Sequence, residues 1–417
     1  MKHLRLLCVT LAVSLLFAGC RNKLPVEGSS HNTHDGLGEA TGQIEFLSDT
    51  PDRIGQGAEG ALGYYYTSYS QDYSHANIHF IDKTSKQDII LCSNPSCEHN
   101  TEACSAFLDT KTDYVPSLLY ADDLIILIYP GFDSPDNQVR PHIDTMNADG
   151  TNRKAVYQFE ANQEFGNGFA GDDRYLYFIL STYEATNSKS ELVCLDYKNG
   201  TLKTICEVDA YSFLEGSYGN KLIVKTIGNS VLVSSSEKEV LNEDPFYQQE
   251  HILVAVDAED GNVQSIDRWK QDEYWELLNG GRLFLLSMPD DKLHLTIQDL
   301  SNAQKTEYDI GLEVQEPRNI MNIDYHNGTI LFELISGYAE DGSVIGRRWA
   351  FCPDTLDLRE ITLMDPIRNY PILIEGELGE GVLLQMPSYT GSDASSFDRY
   401  NFVYCSWQDY LDSKLSS

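Results

Sequence analysis

The chain has 417 residues, with 64 Asp and Glu against 30 Lys and Arg, and a formal net charge of -34. That balance excludes a nucleic-acid partner, because such binding needs cations to displace condensed counterions. With 25 Tyr and 16 Phe there is ample material for a core, in two domains or one large β domain.

The N-terminus reads as a bacterial lipoprotein signal over residues 1–19. Lys2 and Arg5 lead into an apolar stretch from Leu6 to Phe17, which ends in Phe17-Ala18-Gly19-Cys20. Small residues before a Cys suit a lipobox, with Cys20 as the lipidated residue. The stretch is too short for a stable membrane span, whereas anchoring by two or more acyl chains is lasting. The expected location is therefore extracytoplasmic, lipid-anchored to the bacterial cell membrane. Residues 20–41 follow as a lipidated Cys and a polar tether without periodicity, with a mean reach of roughly 25 Å. His31, His34 and Asp35 fall within it and are read as solvated.

From residue 42 onward a repeat takes over. Short Asp, Asn and Gly turns precede alternating apolar strands: Asp122-Asp123 before Leu124, Asp172-Asp173 before Tyr175, and Gly219-Asn220 before Leu222. The series continues with Gly280-Gly281 before Leu283, Asn327-Gly328 before Ile330, and Gly379-Glu380 before Val382, after a weaker Glu59-Gly60 before Tyr64. These residue types tolerate the φ angles of tight hairpins. A second hairpin follows in each unit, as in His142–Tyr157 around Asp149-Gly150 and Leu253–Ile266 around Asp260-Gly261. Units of this length with four strands each predict a seven-bladed β-propeller over residues 42–417, with six or eight blades as alternatives. The last unit reads one strand short, and Gly42–Leu47 is expected to complete it and close the ring.

The segment Met146-Asn147-Ala148-Asp149-Gly150-Thr151-Asn152-Arg153 resembles the outer-hairpin motif of TolB-type propeller repeats. That resemblance implies a binding or scaffolding propeller and brings no active site with it. Lipobox, tether, propeller and Cys-rich loop together resemble uncharacterised lipoproteins of Gram-positive anaerobes, which implies fold and location only.

Strand order places all the short turns on one face of the disc and all the long loops on the other. Functional groups collect on variable loops held by a rigid frame, so the long-loop face is the candidate recognition surface. Its aromatics Tyr69, Tyr73, Phe132, Tyr183, Phe246, Tyr247, Tyr338 and Tyr389, beside loop carboxylates, suit a glycan, a peptide or an envelope protein.

The sharpest motif is Cys92-Ser-Asn-Pro-Ser-Cys97-Glu-His99-Asn-Thr-Glu-Ala-Cys104. Three thiolates and an imidazole form the ligand set of a closed, structural zinc site; a disulfide is the competing reading in an exported protein. The loop is expected in the connection after the first unit, on the long-loop face. Cys194 and Cys206, and Cys352 and Cys405, are read as core thiols, although the first pair flanks one hairpin.

No Gly-x-Ser-x-Gly elbow, His-Glu-x-x-His pair, phosphate loop or sialidase turn occurs. The expected function is a monomeric, non-enzymatic binding or interaction module. The alternative is a glycosidase or lyase using loop carboxylates near the propeller axis.

Overall fold

Strands in the middle of each repeat are apolar on both faces, and that property dictates the architecture. In the computed structural model, residues 43–48, 57–70, 72–110, 115–134, 137–184, 187–228, 250–270, 274–289, 292–313, 320–338, 344–368, 370–392 and 396–415 are described. The signal, Cys20, the whole tether, Phe246 and Tyr247 lie outside them. No helix among the described residues is long and apolar enough to cross a membrane.

The first strand, β1 (Glu45–Ser48), stands apart from the repeat. Blade 1 holds β2 (Ala58–Glu59), β3 (Gly63–Tyr69), β4 (Ala76–Asp82) and an outer strand in two pieces, β5 (Asp88–Ile90) and β6 (Phe107–Leu108). Blade 2 holds β7 (Ser117–Ala121) and β8 (Leu124–Tyr129). A small hairpin of β9 (Phe132–Ser134) and β10 (Asn137–Val139) follows, and then β11 (His142–Asn147) and β12 (Lys154–Gln158). Blade 3 runs β13 (Gln163–Gly171), β14 (Tyr175–Glu184), β15 (Asn187–Asp196) and β16 (Thr201–Val208). Blade 4 runs β17 (Ser212–Tyr218), β18 (Lys221–Gly228), β19 (Glu250–Asp257) and β20 (Val263–Lys270). Blade 5 is β21 (Trp275–Asn279), β22 (Arg282–Ser287), β23 (Lys292–Asp299) and β24 (Lys305–Glu313). Blade 6 is β25 (Ile320–His326), β26 (Thr329–Tyr338), β27 (Val344–Cys352) and β28 (Asp357–Ile361). Blade 7 has three strands, β29 (Ile374–Leu378), β30 (Gly381–Tyr389) and β31 (Phe397–Ser406), followed by the short helix α1 (Trp407–Leu411).

The seven-bladed ring follows from how the period of two distributes side chains. In β8, Ile125 and Leu127 join Tyr65 and Ile78 between blades 1 and 2. Their neighbours Ile126 and Ile128 join Phe169 and Phe178 between blades 2 and 3. Each second strand thus serves two seams and is mostly apolar. One such cluster fills every seam around the ring, including that between blades 7 and 1, where Tyr64, Tyr66 and Ile81 meet Leu378 and Leu383.

The ring closes differently from the sequence-based expectation. The N-terminal strand does not complete blade 7. Instead β1 pairs with β13, the innermost strand of blade 3, with Glu45 opposite Gly171 and Ser48 opposite Phe169. The pairing is dictated by burial. Ile44 is only 5% exposed, among Ala170, Tyr175, Leu214 and Leu222 of blades 3 and 4. As an outermost strand beside β31, β1 would leave this dry pocket between blades 3 and 4 for the rim of the disc. Among the described residues blade 7 therefore has three strands, and side chains join blades 7 and 1.

Turn chemistry explains the uniform face. Asp122 and Asp123 have φ of 48° and 58°, and Asn327 and Gly328 have 48° and 77°, the left-handed pair that a two-residue hairpin requires. The third-to-fourth turns share another device. Asp82, Asp196, Asp257 and Asp299 end their strands, and each carboxylate accepts the amide two residues on. Such turns form locally and cheaply, which is why they are regular in the sequence.

Candidate metal centre and recognition face

The Cys/His loop sits on the rim of the disc, not in the connection on the long-loop face. It interrupts the outer strand of blade 1 between β5 and β6, and both halves pair with β4. One residue pins both ends of the insertion. The Leu91 N–H donates to the Ile78 carbonyl, and the Ile78 N–H donates to the Ala106 carbonyl, each at 2.9 Å. A carbonyl and an amide of one residue therefore close a loop that the sequence places at the end of a unit. The base of the loop wedges against blade 2: a Cβ on Gly150 would come within 2.5 Å of the Leu91 carbonyl oxygen. The Arg153 guanidinium secures the far side by donating to the Phe107 carbonyl at 2.8 Å.

Within the loop, Cys92, Cys97, His99 and Cys104 bring their ligand atoms within 4.8 Å of one another. Around a tetrahedral zinc ion, S and N atoms are about 3.5–3.8 Å apart, given metal–ligand distances of about 2.0–2.3 Å. The Asn94-Pro95 turn does the folding: the Cys97 N–H donates to the Asn94 carbonyl at 3.1 Å, and the Asn94 side chain accepts from Ser96. His99 takes a left-handed φ of 58°, which turns its ring back so that Nδ1 lies 3.4 Å from the Cys104 sulfur.

Each sulfur also receives a backbone amide from two residues on. Cys92 is met by Asn94, Cys97 by His99 (3.4 Å) and Cys104 by Ala106. Burial opposes ionisation of Cys92, but the Asn94 amide and the neighbouring thiols outweigh it and hold its thiol below the ordinary range. Burial, reinforced by the charge on its neighbours, pushes Cys104 up to about 12. One easily ionised thiol beside one that resists is the expected state of thiolates crowded together without a cation. Among the described residues, this is the one group of three or more His, Cys, Asp or Glu side chains arranged to hold a metal ion.

Among the other described cysteines, Cys194 and Cys405 are buried core thiols and Cys206 packs against the same core as Cys194, whereas Cys352 is half-buried at the end of β27. Cys194 lies opposite Lys203, while Cys206 lies opposite Leu192, so the two do not face each other across their hairpin. Burial raises both thiols to about 11. Cys405 is fully buried between blades 6 and 7.

The predicted recognition residues that are described lie at the long-loop ends of their blades but do not form one cluster; Phe246 and Tyr247 lie outside the described residues. Tyr73 is 61% exposed at the tip of blade 1 and packs on Tyr69 with ring centroids 5.9 Å apart. Its hydroxyl donates to the Asp398 carbonyl of blade 7 at 3.1 Å. Beside Asp398, Phe397 packs on both Tyr389 and Tyr400, with the Arg368 guanidinium 5.0 Å from its ring centroid. Blades 1 and 7 thus share an aromatic rim that the sequence shows only in part: Tyr400 and Arg368 were not singled out. Tyr389 is tied down; its hydroxyl donates to Asp365 at 2.5 Å, and burial plus that bond raise it to about 12. Tyr183 (49% exposed) on blade 3 and Tyr338 (68% exposed) on blade 6 stand separately. Phe132 lies in β9, within the long loop of blade 2.

Carboxylates near the axis are committed to the frame. Glu276 on the inner strand of blade 5 accepts from Lys225 at 2.8 Å and lies 3.3 Å from His251. Burial works against its charge, but His251 and Lys225 outweigh that and bring it down to about 2. Glu215 binds the same lysine at 2.7 Å. Asp324 and Glu377 hold His326 between them, at 2.8 and 3.2 Å. Carboxyls whose pKa is raised, Glu59, Asp172 and Asp209, belong to different turns.

No protein-family model and no curated protein matches the chain. Solved structures do. The chain is similar to a structure from an analysis of two prolyl endopeptidases, at 13% identity and a TM-score of 0.52, covering 90% of this chain and 48% of that one. It thus spans about half the length of that protein. It is also similar to the β-propeller domain of the trilobed protease from Pyrococcus furiosus, described as having an open velcro topology. There the identity is 13%, the TM-score 0.46, and the coverage 91% of this chain and 100% of that one. An uncharacterised protein from Listeria monocytogenes EGD-e is 14% identical, with a TM-score of 0.46 and coverage of 84% and 91%. At these identities the likeness speaks to fold alone: a β-propeller.

Proposed function

We propose that this chain is a surface lipoprotein, anchored through Cys20, whose propeller binds a glycan, a peptide or a partner protein with its long-loop face and does not turn it over. The observation that carries the reading is the exposure of Tyr73, Tyr183 and Tyr338 at the long-loop ends of three blades. Large amphipathic rings held out on a rigid frame suit recognition at low entropic cost. The axis-proximal carboxylates do not favour the glycosidase alternative. Acid–base hydrolysis needs one carboxyl kept protonated opposite one kept ionised, whereas Glu276 and Asp324 are both held low by cationic partners.

A binding screen on glycan and peptide arrays with residues 21–417, comparing the parent with a Tyr73→Ala/Tyr338→Ala variant, tests this. The expected result is a loss of at least about tenfold in affinity, the scale of truncating one aromatic anchor, with unchanged thermal stability and no product. Undiminished binding by the variant, or release of a cleaved product, overturns the reading.

We infer further that Cys92, Cys97, His99 and Cys104 hold a structural zinc ion, which would leave no open coordination position. Three amides directed at three sulfurs support this over a disulfide, since amide donors stabilise thiolate charge that a disulfide lacks. Native mass spectrometry on protein purified without chelator should show one zinc, absent in Cys97→Ser. A mass deficit of two hydrogens without metal would make the loop a disulfide instead.

A further inference from the structure

We infer that the channel strand sets which way the anchored head faces: the tether leaves on the axis at the tight-turn end, so the long-loop face points away from the lipid. This rests on the proposed anchoring at Cys20 and deepens the proposed function by stating where its partner is met.

The direction is read from register. Glu45 lies opposite Gly171, where the tight turn of blade 3 begins, and Ser48 lies opposite Phe169, deeper in the channel. The chain before Glu45 therefore emerges at the tight-turn end. Blade 4 confirms the level: the Ser217 hydroxyl, two residues before the Gly219 turn, donates to the Ile44 carbonyl at 3.0 Å. Ile44 is clamped between the inner strands of blades 3 and 4, so the exit is near the axis and not on the rim. About 23 residues separate Ile44 from Cys20, and a chain of that length has a mean reach of about 26 Å. Turning the head over would require the tether to cross the face and run the full height of the rim, a stretch well beyond that mean and opposed by chain entropy.

The facing surface suits a stand-off. Its turns carry Asp122, Asp149, Asp257, Asp260 and Asp299; four of these carboxylates accept turn amides without losing charge, and Asp122 pairs with Lys198. Near an anionic leaflet such a face is repelled within a Debye length, about 8 Å at physiological salt. The partner of the long-loop face is soluble or held by the envelope outside the membrane.

The test uses the full lipidated chain on vesicles containing a headgroup acceptor dye, with a donor fluorophore introduced at Glu259, in a tight turn of blade 4, or at Tyr338. Energy transfer from the Glu259 site should exceed that from the Tyr338 site severalfold. Equal transfer, or the reverse order, overturns the inference. Intact mass reports separately on lipid at Cys20. If lipid is absent, the anchoring reading fails. The exit direction is then tested on the same labelled chains with residues 1–20 replaced by a histidine tag on nickel-chelating lipid. There the same order upholds the geometry and the reverse order overturns it.

Discussion

Blade 7 meets its two neighbours in different ways. Toward blade 6 the seam contains a buried guanidinium: Arg348, 5% exposed, pairs with Glu333, 1% exposed, and also donates to the Ile372 carbonyl and the Tyr410 hydroxyl. Tyr370 donates to the other oxygen of Glu333. One ion pair thus ties together blade 6, the connection to blade 7 and helix α1. Toward blade 1 the seam is lighter and aromatic. The Tyr64 hydroxyl donates to Glu375 at 3.2 Å, Tyr66 packs edge-on against Phe402, and Lys86 sits 3.9 Å over the Tyr404 ring. The comparison teaches that a ring lacking a shared closing strand is secured unevenly. The C-terminal end is held by charge in a dry interior, and the junction of first and last blades by hydroxyls and rings.

The largest break in this comparison is expected from Glu333→Gln, which leaves Arg348 buried without its counter-charge. Chemical denaturation should show a loss of about 3–5 kcal/mol, and protease should first release the segment carrying α1. The effect of pH is intermediate and also belongs to the 6–7 seam. Burial disfavours a charged His326, but Asp324 and Glu377 outweigh that and raise it from 6.5 to about 9. A raised histidine contributes stability in full below its unfolded value, and loses it as pH climbs through the folded one. Stability should therefore fall by about 2–3 kcal/mol between pH 6.5 and 9.5, and His326→Gln should flatten that slope. Tyr64→Phe, at the 7–1 seam, should cost only about 1–2 kcal/mol, one hydrogen bond to a charged group. If Tyr64→Phe proves as costly as Glu333→Gln, the two seams are equivalent and the comparison fails.

Much of this molecule is legible along the chain. The Asp, Asn and Gly turns and the doubly apolar second strands, such as Leu124–Tyr129 and Tyr175–Leu180, give the blade unit and its sevenfold repetition. The Cys/His quartet is also legible, because its four ligands come from one short loop. Other features were hidden. The destination of β1 depends on the dry pocket that Ile44 finds, and its partners lie far away in blades 3 and 4. Likewise nothing in the sequence marks Ile78 as the residue whose amide and carbonyl pin the Cys/His loop to the rim. Arg348 and Glu333, fifteen residues apart on adjacent strands, read as ordinary charges until burial makes their pairing obligatory.

The sequence by itself determined the local terms: which residues turn, which alternate, and which can ligate a soft cation. Those properties depend on neighbours a few residues away, so the chain order records them. Only the tertiary structure decided how the ring closes, where the Cys/His loop sits and which aromatics share a rim. Those outcomes turn on desolvation and packing between segments remote in sequence, where the same side chain is favourable or costly according to what the fold places beside it.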